Sequence, residues 1–181
     1  MTSSALPQRY DSIARNLHWA SAILIIAAFV TGLTVDTPPK EWRPPYQNVH
    51  FLIGLAVLAL AVARLGWRAG HAAPPPPSGS SALATRALKL GHGALYLMMF
   101  AAPLIGFAPL FARGRGINFG LFQIASPIAR TKEWIGPSTE IHEIAAYAFV
   151  ALAVGHAAAA IYHQVALKDD VLLRMMPEKR A

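Results

Sequence analysis

The sequence contains no cysteine, and this absence excludes several kinds of site. Disulfide bridges, zinc–thiolate centres, iron–sulfur clusters and the covalent attachment of c-type haem all require cysteine side chains. Any metal that the protein holds must therefore take other ligands. The sequence offers seven histidines for that role, and five methionines are weaker candidates.

Charged residues are also scarce. They make up 14% of the chain, whereas soluble domains contain about 25%. The hydrophobic content of 55% and the mean hydropathy of +0.40 indicate a membrane protein. The net charge of +7 does not indicate nucleic-acid binding, because the basic residues are dispersed between apolar runs and form no compact face with interleaved aromatics. Basic loops between membrane spans explain this charge.

Four apolar segments are long enough to cross a bilayer, which requires about 20 residues. These segments are predicted at residues 13–35, 49–67, 88–111 and 141–163. We therefore predict an all-α protein, a single integral membrane four-helix bundle occupying residues 1–181. Ser12 is the predicted N-cap of the first helix. Prolines, among them Pro44 and Pro45, are predicted to exclude regular helix from residues 36–48.

The distribution of Lys and Arg predicts the orientation of the bundle. These residues are more abundant in the two termini and the second connector than in the first and third connectors. The positive-inside rule then predicts both termini in the cytoplasm. The sequence shows no internal repeat and no carboxylate at mid-membrane depth, which argues against a proton-coupled transporter.

Four histidines are predicted to form two pairs at two depths in the membrane. His142 and His156 are four helical turns apart, so they share a face of the fourth span and are separated by about 21 Å. His50 is predicted at the depth of His142, and His18 at the depth of His156. Facing imidazoles of a helix bundle can hold the iron of a b-type haem. For any single histidine the alternative is a buried side chain bonded to a neighbouring helix, although ionisable residues inside membranes are usually functional.

Two further histidines are predicted near the cytoplasmic surface. On geometry alone, His92 and His163 can each replace His18 or His156 as a ligand. Alternatively, His92 can hydrogen-bond a haem propionate or a quinone carbonyl. Three basic residues at this surface can pair with propionates or serve only as topology-setting charges: Arg15, Arg64 and Lys89.

Five stretches resemble the bacterial cytochrome b561 family, in order and spacing, over nearly the whole chain. They are RNLHWASA, NVHFLIGL, LGHGALYLMMFAAPLIGF, EIHEIAAYAFVALAVGHAAAAIYH and LKDDVLLRMMP. The resemblance implies two non-covalent haems b, with axial ligands His18, His50, His142 and His156. It also implies electron exchange with ubiquinone, for which Trp19, His92 and His163 are candidate contacts. In at least one family member the electron donor is superoxide, which is oxidised to oxygen at the periplasmic face.

Six basic residues are predicted on the periplasmic loops, near the outer haem: Lys40, Arg43, Arg113, Arg115, Arg130 and Lys132. A positive field there would attract a small anion and raise its encounter rate, although contact with lipid headgroups is the alternative. We therefore predict an oxidoreductase that oxidises superoxide and reduces ubiquinone. The alternative is a cytochrome b subunit that passes electrons from a partner dehydrogenase or hydrogenase to quinone.

Overall fold

The structure, a computed structural model, describes residues 9–76 and 81–177. Four long helices account for most of these residues. They are α1 (Ser12–Leu33), α2 (Arg43–Gly70), α3 (Ala82–Ala112) and α4 (Lys132–Tyr162). Each of the four is long and apolar enough to cross a membrane. The predicted all-α membrane four-helix bundle is therefore confirmed.

The helices extend beyond the predicted apolar segments, and the prediction that prolines exclude helix up to residue 48 was wrong. Helix α2 begins at Arg43, with Pro44 and Pro45 in its first turn. Proline is tolerated there because the first backbone N–H groups of a helix have no intrahelical partner. Helix α4 begins at Lys132 and passes through Pro137, so it starts well before the predicted fourth span, 141–163.

The first helix is capped by Asp11 and not by the predicted Ser12, which is the first helical residue. The Asp11 carboxylate accepts a hydrogen bond from the backbone N–H of Ala14 at 2.9 Å. It also accepts one from the indole N–H of Trp67, which lies 3.1 Å from both carboxylate oxygens. Asp11 thus closes the start of α1 and ties it to the end of α2. The Ala14 and Trp67 bonds both hold the pKa of Asp11 below its ordinary value.

Replacing Asp11 with alanine should destabilise the protein by about 1 kcal/mol at neutral pH, the usual effect of losing an N-cap. Because the folded-state pKa is lowered, this stabilisation is present above the ordinary carboxyl pKa and is lost as pH falls through the lowered one. Thermal unfolding in detergent should therefore show the two proteins converging below about pH 4. Asp11→Asn, which keeps a capping oxygen, should retain most of the stability at neutral pH; equal losses for both variants would contradict this account.

The bundle has two ends that are named here by what they carry. The connector end carries residues 34–42 and 113–131. The terminal end carries residues 9–11, 71–76 and 168–177. At the terminal end residues 9–11 meet residues 168–177, since the backbone N–H of Tyr10 donates to the carbonyl oxygen of Arg174 at 3.2 Å. Which end faces the cytoplasm stays a prediction.

Close backbone packing joins α1 with α2, α3 with α4 and, less extensively, α2 with α3. Helix α4 faces α1 and α2 mainly through side chains, for example Phe29 and Tyr147, whose ring centroids are 5.8 Å apart. A small buried core lies midway along the bundle. Its members are Ala61, Met99, Ala102 and Phe149. Polar side chains meet on both sides of this core, at one level towards each end of the bundle.

Candidate functional site

At the connector end, His50 of α2 faces His142 of α4. Their ring centroids are 6.0 Å apart, and the ring planes are inclined by 75°. The two helices therefore bring together the pair that was matched by depth in the sequence.

At the terminal end, three imidazoles converge instead of two. The ring centroid of His156 on α4 lies 6.2 Å from that of His18 on α1. It also lies 5.1 Å from the centroid of His92 on α3. The Nδ1 atom of His92 donates to the carbonyl oxygen of Leu88 at 2.8 Å. The structure thus places two of the three sequence-derived candidates for the partner of His156, namely His18 and His92, next to it. The third candidate, His163, contacts Asp169 instead.

The separations within these pairs fit an iron atom held between two imidazoles. An imidazole nitrogen lies about 2 Å from a first-row metal that it binds, so rings on opposite sides of one iron have centroids about 6 Å apart. The His50–His142 and His18–His156 pairs match this distance, whereas the shorter His92–His156 distance does not. Among the described residues, no cluster of three or more histidine or acidic side chains can hold a bare metal ion. A b-type haem needs only two axial imidazoles.

The orientation of His50 also suits a ligand. Its Nδ1 atom donates to the carbonyl oxygen of Ala28 at 2.9 Å, and the Thr31 hydroxyl oxygen lies 3.1 Å from the same nitrogen. A protonated Nδ1 leaves the Nε2 lone pair free, which is how metal-binding histidines are usually oriented. In the described part of the chain, Nδ1 of His142 has no partner in hydrogen-bonding geometry, although it interacts with the backbone of Ala102.

Two glycines provide the space for the connector-end imidazoles. A Cβ atom added to Gly32 of α1 would lie 3.0 Å from Cε1 of His50, and one added to Gly106 of α3 would lie 3.0 Å from Cε1 of His142. In the α1–α2 pair and in the α3–α4 pair, a histidine of one helix therefore packs against a glycine of the other. The role of these glycines was not predicted from the sequence, because the neighbour of a helical glycine is known only once the helices are packed.

Gly106→Ala should disturb the connector-end imidazole pair without affecting the other pair. The new methyl group would push the His142 ring, and overpacking of this kind costs about 1–3 kcal/mol. We expect a roughly 5- to 150-fold lower affinity for the haem held there, or a shifted low-spin electron paramagnetic resonance signal of one haem. Gly136→Ala is the matched control, because no heavy atom lies within 4 Å of its added Cβ. Identical spectra for both variants would contradict the role of Gly106.

Arg64 is a half-buried cation beside the terminal-end imidazoles. Its Nη2 atom lies 3.4 Å from Nδ1 of His18, and its guanidinium carbon lies 5.2 Å from the ring centroid of Tyr96. Within residues 9–76 and 81–177, the one ion pair joins His163 and Asp169. No carboxylate in this part of the chain therefore forms an ion pair with Arg64. A partly buried guanidinium without an anion is unfavourable. Its position therefore fits an anionic group of a bound cofactor, such as a haem propionate.

The remaining residues predicted near this surface have partners of other kinds. Arg15 donates to the carbonyl oxygen of Tyr10 at 2.5 Å, and Lys89 is exposed on α3. The indole N–H of Trp19 donates to the carbonyl oxygen of Met175 at 2.8 Å. Nδ1 of His163 lies 2.5 Å from a carboxylate oxygen of Asp169. Trp19 and His163 are thus tied to the C-terminal segment 168–177.

Three of the six predicted steering residues lie together at the connector end: Arg113, Arg115 and Arg130. Arg113 donates to the carbonyl oxygen of Pro109 at 2.9 Å and to the hydroxyl of Thr139 at 3.1 Å, which links α3 to α4. Burial lowers the pKa of Arg113, and the cations of Arg115 and Arg130 lower it further, whereas the carboxylates of Asp36 and Glu143 raise it. The three arginines therefore outnumber the two carboxylates that act on Arg113, and the cluster keeps an excess of positive charge.

The other three steering candidates are placed differently. Arg43 and Lys132 were predicted on loops, but they are the first residues of α2 and α4. The Nε atom of Arg43 donates to the carbonyl oxygen of Pro38 at 3.0 Å. Lys40 and Lys132 are exposed. All six lie at the connector end, which also carries the His50–His142 pair.

The sequence matches the family described as prokaryotic cytochrome b561 over residues 9–178. It is 30% identical to the probable superoxide oxidase CybB of Yersinia pestis, over 96% of this chain and 98% of that protein. It is 31% identical to cytochrome b561 homolog 2 of Escherichia coli (strain K12), over 97% and 95%. It is also 31% identical to cytochrome b562 of Cereibacter sphaeroides, over 92% and 94%. Together with four membrane-spanning helices and paired intramembrane histidines, these matches show that the chain belongs to the prokaryotic cytochrome b561 family of haem b-binding membrane electron-transfer proteins.

Proposed function

We propose that this protein carries two haems b, one at each end of the bundle, and transfers electrons between them across a bacterial inner membrane. The observation that carries the proposal is the pair of facing imidazoles at each level, with ring centroids 6.0 and 6.2 Å apart. His50 and His142 would hold the iron at the connector end, and His18 and His156 the iron at the terminal end. Each haem supplies a reversible one-electron site.

The residues around each pair support distinct roles. The carbonyl oxygen of Ala28 accepts a hydrogen bond from Nδ1 of His50 and leaves Nε2 free, so Nε2 would be the nitrogen that binds the iron. Arg64 supplies a positive charge for a propionate at the terminal end. His92 lies beside the terminal-end pair, and its ring centroid is 5.1 Å from that of His156, closer than two imidazoles that share one iron would be. We assign His92 to hydrogen bonding of a propionate or a quinone, and not to iron.

We propose that the electron donor is superoxide and that it reacts at the connector end. The cluster of Arg113, Arg115 and Arg130 supports this assignment, because concentrated positive charge raises the encounter rate of a small anion. The likeness to a probable superoxide oxidase of Yersinia pestis points to the same donor. Superoxide gives up one electron and becomes oxygen, so the transfer needs no acid or base at the connector end.

The proposed electron acceptor is ubiquinone at the terminal end. Two superoxide anions, one quinone and two protons give two molecules of oxygen and one quinol, so this end must deliver protons. His163 and Asp169 form a contact there, with side chains 38% and 21% exposed. A half-exposed histidine–carboxylate pair can pass protons between water and a bound quinone. His92 and Trp19 lie at the same end.

A purified chain tests the donor directly. When superoxide is generated enzymatically in the presence of ubiquinone, we expect haem absorption to pass through a reduced state and quinol to accumulate. Superoxide dismutase should abolish both signals. If the chain contains two haems but neither signal appears, superoxide is not the donor, and the chain is then an electron-transfer subunit for a partner dehydrogenase or hydrogenase.

A further inference from the structure

The connector between α3 and α4 contains an apolar hairpin, defined here as residues 116–129. Its two short strands, β1 (Ile117–Asn118) and β2 (Gln123–Ile124), pair antiparallel. The segment contains no charged side chain, and arginines stand immediately before and after it. Its large apolar side chains are mostly exposed: Phe119 37%, Leu121 98%, Phe122 60%, Ile124 51% and Ile128 51%. Exposed apolar groups in this number indicate a binding surface.

The apolar hairpin is fixed to the bundle. The Asn48 side chain donates to the carbonyl oxygen of Asn118 at 2.8 Å and accepts from its N–H at 3.0 Å. The Ile117 side chain is buried. A Cβ added to Gly116 would lie 2.2 Å from the carbonyl oxygen of Ile124, so the two strands are closely packed. The apolar side chains of the tip are thus exposed although the hairpin itself is fixed to the bundle.

The attachment point places the apolar hairpin near the boundary between hydrocarbon and headgroups. Helix α2 has 28 residues, or about 42 Å at 1.5 Å per residue. The hydrocarbon core is about 30 Å thick, so about 6 Å of a centred α2 projects at each end. Asn48 lies five residues after Arg43, which is about 7.5 Å along the helix. This is the depth at which interfacial segments insert their apolar faces.

We propose that the apolar hairpin inserts its tip into the bilayer at the connector end, as an interfacial anchor for this end of the bundle. Arg115 and Arg130 flank the segment, so its uncharged stretch ends at a charged residue on both sides. Trp134, 62% exposed at the start of α4, is a typical interface residue. A soluble protein partner is the competing occupant, but the hairpin carries no charge, and its attachment to Asn48 places it at the edge of the hydrocarbon core. This proposal does not depend on the identity of the electron donor.

Because the chain has no cysteine, single-cysteine spin labels can measure the depth of the hairpin. Leu121→Cys and Phe122→Cys should be labelled with a nitroxide in the haem-loaded protein, reconstituted in phosphatidylcholine–phosphatidylglycerol vesicles. We expect oxygen, which partitions into lipid, to relax both labels severalfold more effectively than a water-soluble nickel chelate. Glu41→Cys is the matched control, since it is exposed at the same end, and the nickel chelate should be the more effective there.

Each other outcome overturns the proposal. Labels at 121 and 122 that behave like the label at 41 would place the hairpin in water, as a surface for a soluble partner. Labels shielded from both reagents would indicate that another protein covers the hairpin. If the labels become accessible in nanodiscs that hold a single bundle, the covering protein is a second copy of this chain. Leu121→Asp provides a second test without a label. If the tip lies in lipid, trypsin should cleave at Arg115 or Arg130 faster in vesicles that contain this variant than in vesicles that contain the parent chain. The haem spectrum should stay unchanged. An unchanged cleavage rate contradicts insertion.

Discussion

His156→Ala should reduce the haem content from two per chain to one, and His50→Ala should do the same by removing the other haem. The reason is that each imidazole faces a partner at the distance expected for two rings that bind one iron. The centroids are 6.2 Å apart for His156 and His18 and 6.0 Å apart for His50 and His142. If these residues hold haem iron as proposed, loss of one imidazole would leave that iron with a single protein ligand. Pyridine haemochrome assays and redox titration should show one remaining haem of a different potential in each variant.

Two further variants complete this experiment. His18→Ala should behave like His156→Ala, whereas His92→Ala should keep both haems, because its ring is only 5.1 Å from that of His156. His71→Ala is a control, since His71 stacks on Trp67 with centroids 3.8 Å apart, away from both pairs. If His50→Ala and His156→Ala retain two haems, or lose the same one, the ligand assignment is wrong. Two haems in His18→Ala but one in His92→Ala would exchange the roles of these two residues.

The helices and the depth of each histidine were accessible from the sequence, because both depend on local periodicity and length. Hydropathy over about 20 residues locates a span, and the rise per residue then fixes the height of His142 and His156. The choice between His18 and His92 was not accessible. Both occupy the same level, and their distances from His156 depend on how α1 and α3 pack against α4.

Helix ends were predicted less well, since hydropathy marks the part of a helix inside hydrocarbon and not where the helix begins. Helix α2 starts at Arg43 because two prolines suit a first turn. Helix α4 starts at Lys132, within polar sequence that no apolar pattern marks. The paired strands around Gly120 were also missed. Gly120 has φ +85°, which allows the turn, but a two-residue strand is too short to show alternation in the sequence.

The residues that contact the connector-end histidines could not be predicted for a related reason. Gly32 and Gly106 are ordinary helical glycines in the sequence, and what distinguishes them is contact with an imidazole from another helix. Likewise, Ala28 contributes only a backbone carbonyl to His50. Residues that act through backbone atoms or through the absence of a side chain leave little chemical signal in a single sequence.

The largest kinetic effect is expected from the double variant Arg115→Gln/Arg130→Gln. Both residues belong to the positive cluster at the connector end, and focusing of charge raises association rates of small anions by factors of about 10 to 1,000. We expect the second-order rate constant for haem reduction by superoxide to fall about tenfold at low ionic strength. Arg113 is left in place because it links α3 to Thr139 of α4. Pulse radiolysis with detection of reduced haem measures this rate constant.

The salt dependence separates steering from damage to the site. The screening length is about 10 Å at 0.1 M ionic strength and about 3 Å at 1 M, so the parent and the double variant should converge as salt is added. Arg68→Gln/Arg86→Gln removes the same charge from exposed positions near the terminal ends of α2 and α3. At 0.1 M ionic strength it should leave the rate within about twofold, because those positions then lie several screening lengths from the connector end. Equal losses in both double variants would indicate a net-charge effect, and a loss that persists at high salt would indicate an altered haem environment. Only a salt-sensitive loss confined to the connector end supports the positive cluster as the entry point for superoxide.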